Sequence, residues 1–103
     1  VLRVASRPTR VLSPSPGYAE QDVEDTVAAA GEAIREAAAG ETPDLIGITA
    51  QGDGVWLLDD GGRSVRPAIL WSDARAAAYV ARWPADGVAL AAFRRSGSLL
   101  LPG

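Results

Sequence analysis

Between residues 22 and 39 the apolar positions Val23, Val27, Ala30, Ile34 and Ala37 recur at alternating intervals of four and three, which aligns them on one stripe of an α-helix. Asp22 is placed to cap its free N–H groups, Glu24 and Asp25 suit the positive end of the dipole, and Gly40 stands where a left-handed residue is expected after the last turn. The pattern changes downstream. Leu45-Ile46-Gly47-Ile48-Thr49-Ala50 is a short apolar run between Pro43 and Gly52, as expected of a strand covered on both faces. Val55–Leu58 and Val65–Trp71 then flank Asp59-Asp60-Gly61-Gly62, the pattern of a hairpin.

The flanks are less regular. Val1–Leu12 mixes Leu2, Val4, Val11 and Leu12 with Arg3, Arg7 and Arg10, and Pro8 interrupts it, so an edge strand or two short ones is expected, with the arginines on a solvated face. Ser13-Pro14-Ser15-Pro16-Gly17 reads as a turn-rich connector. Asp73 is expected to cap a helix running through Trp83 and stopped by Pro84, and Asp86 to cap a shorter one ending near Gly97. Trp56, Trp71 and Trp83 read as core side chains. The order strand, helix, strand, hairpin, helix, helix predicts an α/β layer with helices covering a sheet.

Composition narrows the chemistry. With 103 residues and 48% hydrophobic positions the chain suits one small domain or a piece of a larger one. Cys and His are both absent, which removes a thiolate nucleophile, an imidazole base, the usual zinc ligands and disulfides. All ten basic residues are Arg, so a Walker-type phosphate loop and a Schiff-base lysine are excluded. A net charge of −3 argues against a nucleic-acid partner. No apolar run approaches the roughly 18 residues of a membrane span, and no signal-peptide pattern opens the chain. The cytoplasm is the expected compartment. The first residue, Val1, and the apolar run Leu99-Leu100-Leu101 at the other end suggest a domain cut at both ends.

Three clusters carry polar groups at element ends: Gly17–Asp22, Gln51-Gly52-Asp53-Gly54 and Ala68–Arg75. The middle one follows the apolar run expected to be a buried strand, and ligands of α/β sheets gather beyond strand ends. Gln51 can donate and accept, an ionised Asp53 can accept from two hydroxyls, and Gly52 permits close approach. A polyhydroxylated ligand suits these groups. Spacing alone favours a tight turn for the same composition, and it reads Asp73 as a helix cap and Arg75 as a surface or ion-pair residue before either as a ligand support.

Taken together, Pro16-Gly17-Tyr18-Ala19-Glu20-Gln21-Asp22, Ile46–Asp59 and Gly62–Ala76, the last containing Leu70-Trp71-Ser72-Asp73-Ala74-Arg75, resemble the first domain of the FGGY carbohydrate kinases in motif, order and spacing. The resemblance implies a ribonuclease H-like fold of the actin/hexokinase ATPase type, present here in part, with residues 1–103 forming part of the N-terminal domain. It also implies ATP-dependent phosphorylation of a sugar or polyol hydroxyl with Mg²⁺. In such enzymes the strand-end motif varies with substrate: Gln-Met-His-Gly in xylulokinase-like members and Asn-Gln-Arg-Glu in glycerol kinases. Gln51-Gly52-Asp53-Gly54 is similar to the branch containing erythritol kinases. On this resemblance Gln51, Gly52 and Asp53 are candidate substrate contacts and Asp73 and Arg75 their supports.

The family's phosphate-binding Asp-x-Gly-Thr hairpin, catalytic Asp and adenosine site have no counterpart in these 103 residues. The expectation is therefore one wall of a substrate pocket, with no catalytic base, no bound ATP or Mg²⁺ and no activity of its own. The remainder of the kinase polypeptide would be its partner. The alternative is a truncated remnant that serves as a binding or interaction module without turnover.

Overall fold

A computed structural model describes residues 3–99. The elements run β1 (Glu20–Gln21), α1 (Val23–Ala38), β2 (Ala68–Ile69), α2 (Ala77–Val80) and α3 (Val88–Ser96). α1 forms where the periodicity places it. Asp22 is the N-cap, its Oδ1 accepting from the Asp25 N–H at 2.9 Å. The left-handed turn begins one residue earlier than expected, on Ala39 (φ 48°), whose N–H donates to the Arg35 and Glu36 carbonyls before Gly40 (φ 86°) continues it. The stripe itself is poorly covered: Val23 is buried, but Val27 and Ile34 are half or more exposed.

The sheet is smaller than expected. β1 and β2 pair antiparallel, Glu20 opposite Ile69 and Gln21 opposite Ala68. Single antiparallel bridges extend the ladder on both sides, Leu12 to Glu20 and Val55 to Ile69. Of the expected strand at the start of the chain, only Leu12 is hydrogen-bonded into the ladder, and Val1 and Leu2 lie outside the described residues. The hairpin survives as the Leu58–Ser64 bridge around a turn closed by Gly62 N–H on the Asp59 carbonyl at 2.9 Å. Asp59 also accepts from the Gly61 and Arg63 amides.

Residues 45–50 form no strand. Among the described residues, nothing is hydrogen-bonded to the backbone from 43 to 54, and Leu45 and Ile48 stand 87% and 90% exposed. A strand exists only through a neighbour that takes its N–H and C=O groups, and no described segment pairs with this one. Neither later helix starts on its predicted cap. α2 begins at Ala77, and Asp73 turns inward instead; α3 begins after Gly87 rather than on Asp86, although Gly97 ends it in the left-handed conformation. The tryptophans are not core: Trp56 and Trp71 are 41% and 48% exposed and Trp83 is half-buried. Leu99 of the C-terminal apolar run is exposed, and Leu100 and Leu101 lie outside the described residues.

The few buried residues, Ala19, Glu20, Gln21, Val23, Ala68 and Asp73, surround the β1–β2 pair. The chain exposes 8231 Å², against roughly 5,500 Å² for a folded monomer of its mass. Its radius of gyration is 17.9 Å, where a compact domain of this length has about 13 Å.

Candidate functional site

The antiparallel ladder fixes which segments meet. Beyond Ile69 the chain runs towards Asp73. On one side it passes Ala19, whose carbonyl accepts from the Leu70 N–H at 2.9 Å. On the other side it passes Gly54, where an added Cβ would lie 3.2 Å from the Ile69 carbonyl and 2.8 Å from Trp56 Nε1. Thus Tyr18–Ala19, Gly54–Asp53 and Trp71–Asp73 all leave the ladder at the same end. Gly54 is required by that approach.

At this end lies a closed cluster of charges. Asp73, 3% exposed, accepts at Oδ1 from the Arg75 N–H (2.9 Å) and Nε (2.8 Å), and at Oδ2 from an Arg75 terminal nitrogen and the Ala19 N–H, both at 2.7 Å. Arg75 is forked across the carboxylate, the strong geometry for this pair. The same Arg75 nitrogen reaches Glu20 Oε1 at 2.7 Å, which also accepts from Arg66 at 2.7 Å. The Tyr18 ring covers the Arg75 guanidinium at 4.1 Å from its centroid, a cation–π contact. Arg75 hydrogen bonds hold the Asp73 carboxyl far below the ordinary carboxylate range, with the Ala19 N–H assisting and burial opposing. The two carboxylates in turn hold the Arg75 guanidinium charged. The Ala74 N–H on the Gly17 carbonyl, at 2.7 Å, ties the loops together once more.

The structure therefore brings together the first and third of the sequence clusters, and Asp73 and Arg75 do form one unit. Glu20, Arg66 and Tyr18 belong to it and were not singled out. The acidic residue directly before Gln21-Asp22, with two arginines far along the chain, gives no local signal of pairing. Gln51, Gly52 and Asp53 make no side-chain or backbone hydrogen bond among the described residues and are exposed. Asp53 holds a left-handed backbone, φ 64°, a conformation uncommon outside Gly, Asn and Asp. Its carboxylate is open to a ligand.

A broader concavity lies elsewhere. A groove of 740 Å³ separates the Arg7–Leu12 arm from α1, with Arg7, Arg10, Asp22, Asp25, Thr26 and Ala29 among its walls. Arg7 spans to Glu32 (3.1 Å) and Glu36 (2.6 Å), and these bonds raise its already high pKa. The arm's ion pairs are solvent-exposed, which makes them weak clamps. For a magnesium ion the described residues offer no fitting donor set: Glu20 and Asp73 are occupied by arginines, and no three acidic groups converge among them. No described helix is long and apolar enough to cross a membrane.

Residues 1–103 match the N-terminal domain of the FGGY family of carbohydrate kinases. The chain is 41% identical over 86 residues to the L-xylulose/3-keto-L-gulonate kinase of Escherichia coli (strain K12), covering 79% of this chain and 17% of that protein. It is 43% identical over 53 residues to the erythritol kinase of Brucella abortus (strain 2308), covering 52% of this chain and 10% of that one. The crystal structure of xylulose kinase from Rhodospirillum rubrum superimposes with a TM-score of 0.73 at 37% identity, over 84% of this chain and 19% of that structure. The chain thus spans less than a fifth of the length of each of these proteins.

Proposed function

Because the chain belongs to the FGGY family of carbohydrate kinases, we propose that it supplies one wall of the substrate pocket of an ATP-dependent kinase acting on a hydroxyl of a sugar or polyol. In this reading Gln51, Gly52 and Asp53 contact the substrate, Asp73 and Arg75 brace the neighbouring segment, and the chain is part of a ribonuclease H-like domain. The carrying observation is the exposed Asp53 carboxylate, without a protein partner among the described residues, at the ladder end that the Asp73–Arg75 pair rigidifies. The erythritol and L-xylulose kinases among its relatives support a small polyhydroxylated substrate.

The chemistry of this wall is binding and orientation. An ionised Asp53 accepts from adjacent hydroxyls, and Gln51 can both donate and accept, so together they select a vicinal hydroxyl pattern and hold it still. Positioning of this kind contributes to phosphoryl transfer by reducing the freedom of the acceptor. In this reading nucleotide and metal are held by the remainder of the kinase polypeptide.

In a kinase carrying this domain, Asp53→Asn should lower kcat/KM for the sugar or polyol by about one to two decades, the scale of one hydrogen bond to a charged acceptor. The KM for ATP should stay unchanged. Asn adopts the left-handed backbone as readily as Asp, so the substitution isolates the charge. Steady-state kinetics with each substrate varied separately is the measurement, and an unchanged kcat/KM for the sugar would reduce Gln51–Gly54 to a turn.

A further inference from the structure

We infer that Glu20 is a positioning residue of this substrate wall, acting on Asp53 through the Arg75 cluster; the inference rests on the reading of Gln51–Asp53 given above. Glu20 is nearly buried and sits on β1 opposite Ile69, the residue that also pairs with Val55. Its Oε1 receives two guanidinium groups at 2.7 Å, from Arg66 before β2 and Arg75 after it. One carboxylate thereby clamps both ends of the segment that contains β2. Segment 66–75 is the template for the chain entering Val55: Val55 N–H donates to the Ile69 carbonyl at 2.8 Å and Ile69 N–H returns to Val55 at 3.0 Å. Gly54 packs against the same carbonyl. Asp53 has no contact of its own to hold it among the described residues, so its place is set by this strand pair, and the strand pair by the clamp.

The charge and the reach of Glu20 are both used. A Gln in its place keeps an oxygen that both guanidinium groups could share but removes the negative charge, so both bonds lose the ionic part of their strength. Asp73 keeps four donors without Glu20, three of them from Arg75 and the fourth the Ala19 N–H. Loss of Glu20 therefore loosens the template locally rather than dissolving the cluster. Ser64 adds a second anchor upstream: its N–H donates to Glu24 Oε1 of α1 at 3.1 Å and its hydroxyl to the Arg66 carbonyl at 2.6 Å.

Amide-resolved hydrogen exchange on the full 103-residue chain tests this, with Glu20→Gln and Arg66→Gln as variants and erythritol as the probe. Both variants should speed exchange at Val55 and Ile69 by about tenfold and leave the α1 amides unchanged. Erythritol should slow exchange at Val55 in the unsubstituted chain more than in α1, which serves as the control for its general stabilising effect as a co-solvent, and this selective effect should vanish in both variants. Equal acceleration across α1 and Val55 in both variants would make Glu20 a general scaffold residue and overturn the inference, as would no change at Val55. If erythritol acts equally on Val55 and α1 in the unsubstituted chain, the substrate reading fails, and Glu20 would then no longer be a positioning residue for any substrate.

Discussion

Asp73 is the residue on which the cluster closes. Its side chain is almost fully buried, with four donors on two oxygens. Because its folded pKa is depressed, its contribution is complete above the unfolded carboxylate value of about 3.9 and is lost as the pH falls from there through the folded value. Urea titrations should give a constant contribution from neutral pH down to about 4 and a falling one below. Asp73→Asn should lower stability by about 2 kcal/mol at neutral pH and flatten that acid limb, which denaturation monitored between pH 6 and pH 3 checks. Asp73 and Arg75 were marked in the sequence as a cap and a surface or ion-pair residue, and the structure pairs them with each other. Glu20 and Arg66 were not, since their partners are 46 and 55 residues distant for Glu20 and only the β1–β2 register brings them together.

At the scale of the element, α1 depends on local terms that can be set against one another. Asp22→Ala removes the N-cap acceptor and should cost about 1 kcal/mol. Gly31→Ala should return about the same amount by raising helix propensity, since the new Cβ would meet only the mobile end of Arg35 at 3.4 Å. The doubly substituted chain should have a urea midpoint, read from the helical circular dichroism signal, close to the unsubstituted one. α1 was legible to its caps because a helix satisfies its own backbone. The 45–50 strand was misread for the complementary reason: its apolar pattern specifies burial, while its pairing depends on a neighbour that no described segment provides. Asp73 failed as a helix cap because its carboxylate is taken by the Ala19 N–H and Arg75, and α2 begins only at Ala77.

For the whole molecule, the excess of exposed surface over a folded monomer is the governing quantity. Leu45, Ile46 and Ile48 present apolar side chains together with a backbone unpaired among the described residues, the combination that templates association. The isolated chain should therefore show a concentration-dependent particle size in light scattering, and Ile48→Lys, which interrupts the run with a charge, should reduce it. A clean monomer with a sharp, concentration-independent melt would show that the surface is tolerated.

The absence of described hydrogen bonds to the backbone of residues 43–54 also bears on covalent continuity. Thermolysin, which cuts before bulky apolar residues, should enter at Leu45, Ile46 or Ile48, because exposed, unpaired backbone is the part of a chain a protease can seat. A cut there separates a piece holding β1 and α1 from a piece holding β2, yet the two remain joined by the Glu20–Ile69 ladder, by Asp73 on the Ala19 N–H, and by Glu20 between Arg66 and Arg75. The expected product is a nicked molecule whose halves appear separately on a denaturing gel and travel together on a native sizing column. Glu20→Gln should let them part sooner, since the oxygen shared by both arginines across the break would no longer carry a charge.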